Sequence, residues 1–229
     1  MRRSYLALIS LAALAVLLIT ACSSTPAQRT PTVTPATPTA VPSSGAVSET
    51  DALLTTLSHG GYVVFLRHGE TDRSIQASLT GPSWWKSCDP AISRQLSDKG
   101  REQARTIGKA LGARGIPVGT VYSSDYCRAI ETARLAFGRT ETVFELNWLT
   151  ADGDGPADLS PNRLVVKQLL STQPPSGKNT VIVGHSFNLE GVSAVVIAEG
   201  EAAVFQPLGN DTFNLVGKVN SVQLGEYLK

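Results

Sequence analysis

The 229-residue chain has no run of lysines or arginines and no basic stripe, so nucleic acid is a poor candidate partner. It has only three histidines, His59, His68 and His185, and no helical histidine pair, which leaves little from which to build a metal site. Cysteine is limited to Cys22, Cys88 and Cys127, and no internal repeat is visible. The apolar stretch from Leu6 to Ile19 falls short of the roughly 20 residues of a comfortable membrane span. Residues 23–48 have almost no large apolar side chain, which excludes a packed core there.

What is present at the N-terminus reads as an export signal. Arg2 and Arg3 supply its charge, Leu6 to Ile19 its apolar region, and Ile19-Thr20-Ala21-Cys22 closes it. Small residues followed directly by cysteine resemble a bacterial lipobox. The resemblance implies a lipoprotein signal peptide over 1–21 and lipidation of Cys22 as the first mature residue. The protein would then be anchored to a membrane surface, outside the cytoplasm; an uncleaved anchor helix is the alternative. Pro26, Pro31, Pro35, Pro38 and Pro42 make 22–48 a Ser/Thr/Pro-rich, extended tether. The remaining 49–229 suits one domain. Without Arg2 and Arg3 the balance is 18 basic against 19 acidic residues, a net charge of −1. In an oxidising compartment Cys88 and Cys127, 39 positions apart, could form a disulfide worth roughly 4 kcal/mol on the chain-entropy model.

Within 49–229, apolar strand-like runs alternate with helical patterns. Helices are expected at 49–58, 97–112, 124–136, 162–170 and 188–198. Strands are expected at 62–67, 118–123, 142–146 and 180–183, with a closing pair at 202–206 and 213–226. Residues 72–97, with Pro82, Trp84, Trp85 and Pro90, show no sustained period and read as a long functional loop. Such alternation predicts an α/β domain, three-layer α/β/α with a largely parallel central sheet. In such sheets ligands sit beyond the carboxyl ends of the strands.

Three of those strand ends carry chemistry. Tyr62-Val63-Val64-Phe65-Leu66 runs into Arg67-His68-Gly69; Ser123-Ser124 leads to Arg128 in the first turn of a helix; Thr180-Val181-Ile182-Val183 runs into Gly184-His185-Ser186. If the strands are parallel, two arginines and two histidines meet at one edge, a pocket for a small dianion. A neutral imidazole is a competent nucleophile, and nearby guanidiniums keep it neutral. Phosphoryl transfer asks mainly for position and for positive charge around three oxygens, which arginine grips with paired donors. A helix N-terminus near Asp125 would add its dipole.

Arg67-His68-Gly69-Glu70-Thr71 matches the signature of the histidine phosphatase (phosphoglycerate mutase-like) superfamily, and the chain resembles that family. Ser123-Ser124 with Arg128, Glu131, Thr132 and Ala133 resembles its second-arginine segment. Gly184-His185-Ser186 resembles its second-histidine segment, and Leu96-Ser97, Gly100 and Gln103-Ala104 its intervening helix. The similarity spans about 60–206 in the right order. It implies a phosphoglycerate mutase-like fold, phosphorylation of His68, and phosphoryl oxygens held by Arg67, Arg128 and His185. It further implies hydrolysis of the phosphohistidine by water, a small phosphorylated substrate, and no metal or other cofactor.

The general acid is where the pattern departs. Leu146-Asn147 is followed by Trp148, where the larger mutases carry glutamate. Asp152 is the first candidate acid, with Asp154 and Glu145 as alternatives. The connection from Arg128 to His185 is only 57 positions, which resembles the short phosphohistidine-phosphatase-like branch and favours a phosphatase over a phosphoglycerate mutase-type phosphotransferase. A non-catalytic, anion-binding surface lipoprotein is the rival of another class. Cys88-x5-Arg94 fits a cysteine-phosphatase spacing, but Asp89 would repel phosphate and Pro90 lacks a donor. His59 reads as a surface residue and Glu70 as a network residue. Trp84, Trp85, Tyr126, Arg73 and Glu190 are possible substrate contacts.

Overall fold

The computed structural model describes residues 44–75, 77–147 and 159–229. The expectations for 1–43, together with Trp148, Asp152 and Asp154, lie outside the described residues. In chain order the elements are α1 (Ser44–Ser58), β1 (Val63–Arg67), a 3-10 turn (Trp84–Lys86), α2 (Asp98–Ala113), β2 (Val118–Ser123) and α3 (Cys127–Phe137). Then come β3 (Glu141–Thr142), a second 3-10 turn (Phe144–Asn147), α4 (Ser160–Ser171), β4 (Asn179–Gly184), α5 (Ser186–Glu190), β5 (Glu201–Gly209), β6 (Thr212–Asn220) and α6 (Ser221–Tyr227).

One six-stranded sheet runs in the order β3-β2-β4-β1-β5-β6. The first four strands are parallel, and β5 and β6 close the sheet antiparallel. Alternation along β1 splits its side chains between two layers. Val64 and Leu66 join Leu54, Ile107, Ala133 and Leu224 from α1, α2, α3 and α6. Val63 and Phe65 join Val166, Leu170 and Leu189 from α4 and α5. Because β1 is covered on both faces, its four apolar residues read as a continuous run.

Element boundaries moved where local chemistry outweighed periodicity. No proline lies between Pro42 and Pro82, and α1 begins at Ser44 rather than 49. The expected helix over 188–198 ends at Glu190; Gly191 follows, and the Ser193 side chain takes backbone partners at Leu189 and Val195. The strand expected over 142–146 is only Glu141–Thr142, because the chain turns into the 3-10 segment at Phe144. The last strand stops at Asn220, whose side chain accepts from Val222 and Gln223 backbone N–H groups and caps α6. α3 begins at Cys127, after the extended backbone of Tyr126, rather than at 124.

Candidate active site

The register of the parallel strands sets the site. Arg67 lies opposite Gly184, and Val183 is flanked by Leu66 and Ser123. His68, His185 and Ser124 therefore leave three adjacent strands at one level. The expected meeting of Arg67, His68, Arg128 and His185 is what the fold builds.

His68 is 3 % exposed. Its Nδ1 is 2.8 Å from the Gly69 carbonyl, and Arg128 Nε donates to its Nε2 at 3.2 Å. Since guanidinium can only donate, Nε2 is the bare nitrogen and Nδ1–H donates to Gly69. His185 repeats the logic. Arg128 Nη2 lies 3.3 Å from its Nδ1, so its Nε2–H donates to Ser124 Oγ at 2.8 Å. The two rings are 5.1 Å apart, centroid to centroid.

Burial is the main reason both imidazoles are held well below the usual histidine range, and the charge of Arg128 reinforces it. Arg67 and Arg94 push the same way. Burial also lowers Arg128, to about 10, so it remains a cation at neutral pH. Its guanidinium carbon stands 4.1 Å above the Tyr126 ring, a cation–π contact. Tyr126 packs edge-on to His185 at 4.8 Å, and the Phe187 ring stacks with it at 4.7 Å.

Arg67 is fastened from behind. Its Nη1 donates to the Ile197 carbonyl at 3.0 Å and its Nη2 is 3.5 Å from Glu199. Its Nε is buried with no hydrogen-bond partner among the described residues, a donor that an anionic oxygen would satisfy. The Gly200 N–H donates to the His68 carbonyl at 3.0 Å, which places the Glu199 turn against the β1 exit. Gly69 donates to Thr132 Oγ1 at 3.1 Å, and Thr132 donates in turn to the Arg128 carbonyl at 2.7 Å, tying the histidine turn to α3. Gly69 and Gly100 pass so closely that a Cβ on Gly69 would strike the Gly100 backbone, and one on Gly100 the Glu70 carbonyl.

The long loop is joined to this centre by a Cys88–Cys127 disulfide, one residue before Arg128. That bond also removes the cysteine-phosphatase reading, because Cys88 has no free thiolate. Trp84 packs on Tyr126 at 5.5 Å and Trp85 is buried beside Phe144, so the pair anchors the loop. Glu70 accepts from Lys99 at 2.6 Å and from Ser97, a network role, and His59 is exposed. The Glu145 carboxylate makes no hydrogen bond or ion pair with either histidine among the described residues; its backbone carbonyl accepts from Asn162. Sequence reasoning missed Glu199, which reaches Arg67, Arg73 and Thr71, and the charge that Arg94 adds to the surroundings of the histidines. Glu199 lies more than a hundred residues from its partners, and its one local signal was a charge at the end of an apolar segment.

Two imidazoles and two guanidiniums at one sheet edge make an anion pocket of the kind that phosphoryl transfer uses. Known proteins share part of this chain. Residues 63–148 match the family model of the histidine phosphatase superfamily (branch 1); the match takes in Arg67, His68 and Arg128 and stops short of His185. The 2,3-bisphosphoglycerate-dependent phosphoglycerate mutases of Streptococcus sanguinis (strain SK36) and Streptococcus pneumoniae (strain Hungary19A-6) are each 34 % identical over 89 residues, covering 38 % of this chain and 35 % of theirs. The chain thus spans about a third of the length of the curated relatives it matches. Among solved structures, an Escherichia coli K-12 protein provisionally described as an alpha-ribazole-5'-P phosphatase matches with a TM-score of 0.50 at 17 % identity, over 70 % of this chain and 96 % of that one. At that identity the likeness is one of fold.

Proposed function

We propose that the protein hydrolyses a phosphomonoester through a phosphohistidine formed on His68 Nε2. The observation that carries this reading is the fixed tautomer: Nδ1–H is engaged by Gly69, and the bare Nε2 sits against the Arg128 guanidinium. In the first step Nε2 bonds to phosphorus as the ester P–O bond breaks, and the leaving oxygen takes up a proton. Arg67, Arg128 and His185 surround the transferring oxygens. In the second step water attacks phosphorus and loses a proton, the N–P bond breaks, and neutral imidazole and inorganic phosphate result. Asp152 stays the proposed proton donor for basic leaving groups, with Glu145 as alternative; an aryl leaving group needs neither.

The curated relatives named above are mutases. Hydrolysis is favoured here because the chain from Arg128 to His185 is short, which leaves little to close over a phosphorylated enzyme and exclude water. The lipobox-like Ile19-Thr20-Ala21-Cys22 supports a lipid anchor on Cys22 and action outside the cytoplasm. Replacing Cys22 with Ala should move the protein from the membrane to the soluble fraction; unchanged membrane partition removes the anchor.

The direct test is His68→Ala assayed on p-nitrophenyl phosphate. Turnover should be lost, and the wild-type protein quenched in alkali should carry an acid-labile phosphoryl label that the variant lacks. Turnover retained by the variant overturns the mechanism.

A further inference from the structure

The long loop carries a charge that the phosphoryl site does not use. Arg94 is half-buried and has no ion-pair or hydrogen-bond partner among the described residues, whereas its neighbours are paired. Arg101 and Glu131 meet at 2.7 Å, Lys99 and Glu70 at 2.6 Å, and Asp72 accepts twice from Ser74. Glu199 is shared between Arg67 and Arg73 and is the carboxylate bound to that wall of the site.

Arg94 stands between two cavities. The larger, of about 440 Å³, is lined by the disulfide and by Asp72, Arg101 and Glu131, so its charges are largely balanced. The smaller, of about 270 Å³, is lined by Arg73, Ile75, Ala77, Leu79 and Arg94, with no carboxylate among the described residues. Ile75 and Leu79 are each 45 % exposed. A cationic rim on an apolar wall is suited to an anion carried by an apolar frame. Arg73 on the rim of this cavity shares Glu199 with Arg67 of the phosphoryl site. Arg94 is also among the charges felt by His68, His185 and Arg128.

We propose that Arg94 and the small cavity beside it form a leaving-group subsite, and that the substrate is a phosphomonoester whose alcohol portion bears a second negative charge on an apolar frame. Arg94 thus selects the substrate, while Arg67 and Arg128 hold the phosphoryl group. The inference rests on the phosphatase reading above for its kinetic test, though not for its binding test.

Phenyl phosphate and 3-carboxyphenyl phosphate release phenols of similar basicity and differ in the added carboxylate. With the full chain, kcat/KM should favour the carboxylated ester by about tenfold, the effect of one partly exposed charge-assisted contact. Arg94→Gln should bring the ratio close to one, and Arg94→Lys should keep part of it, with thermal unfolding confirming that each variant folds. A wild-type ratio at or below one overturns the proposal. So does an equal loss on both esters in Arg94→Gln, since that places Arg94 on the phosphoryl group itself. If wild-type protein hydrolyses neither ester, the phosphatase reading has failed. Calorimetric affinities of the same two esters for wild type and Arg94→Gln then decide the subsite by the same ratio.

Discussion

His68 shows how much of a residue's chemistry is set by its immediate partners. The Gly69 carbonyl fixes one nitrogen as donor, and Arg128 makes the other an acceptor. Burial and neighbouring guanidiniums keep the ring uncharged well into acid. The acid limb of kcat/KM, which reports free-enzyme groups, should therefore lie clearly below pH 6.5, the ordinary histidine value. A pH profile on p-nitrophenyl phosphate checks this, and an acid limb centred on 6.5 contradicts it. Arg67-His68-Gly69 and Gly184-His185 were legible because residue type and strand-end position both pointed to phosphate. The roles of Glu199 and Arg94 were not, because a lone Glu or Arg carries little signal until the fold supplies its partners.

The disulfide and helix α3 act together at the scale of elements. Cys127 opens α3 and Arg128 follows it, so the Cys88 bond pins the loop to the turn that aims the second arginine. The bond closes a 39-residue separation. Replacing both cysteines with serine should lower unfolding free energy by up to about 4 kcal/mol and raise KM for aryl phosphates. Urea unfolding and steady-state kinetics measure the two effects, and reductant should reproduce them in the wild type. An unchanged urea midpoint shows that the loop is held by its other contacts, chiefly Trp84 on Tyr126 and buried Trp85. The strands and α2 were readable because their periods are strong. The region after His185 was misread as one long helix: Gly191 and the backbone bonds of Ser193 end it early, and the chain then crosses to bring Ile197 and Glu199 onto Arg67.

For the whole molecule, the same two histidines make stability depend on pH. In the unfolded chain they titrate near pH 6.5; in the folded protein both lie well below it. Between those values the unfolded state binds more protons, so stability falls as pH falls below about 6.5. The limiting slope for two such groups is about 2.7 kcal/mol per pH unit. Chemical denaturation at pH 7 and pH 5 should show the loss, and equal stability at both is the contrary result. A bound phosphate dianion should reduce it, since it favours protonated rings. The chain by itself determined the alternation that makes an α/β sandwich, the order of its four site residues and their types, because hydrophobic period and residue chemistry are local properties. Only the tertiary structure decided which nitrogen of His68 is bare, that Cys88 is bonded to Cys127, that one carboxylate serves Arg67 and Arg73 together, and that Arg94 shares a cavity with Arg73 and has no partner among the described residues. Those are outcomes of register and close packing between segments far apart in sequence, where a shift of one residue along β1 would turn every side chain to the opposite face.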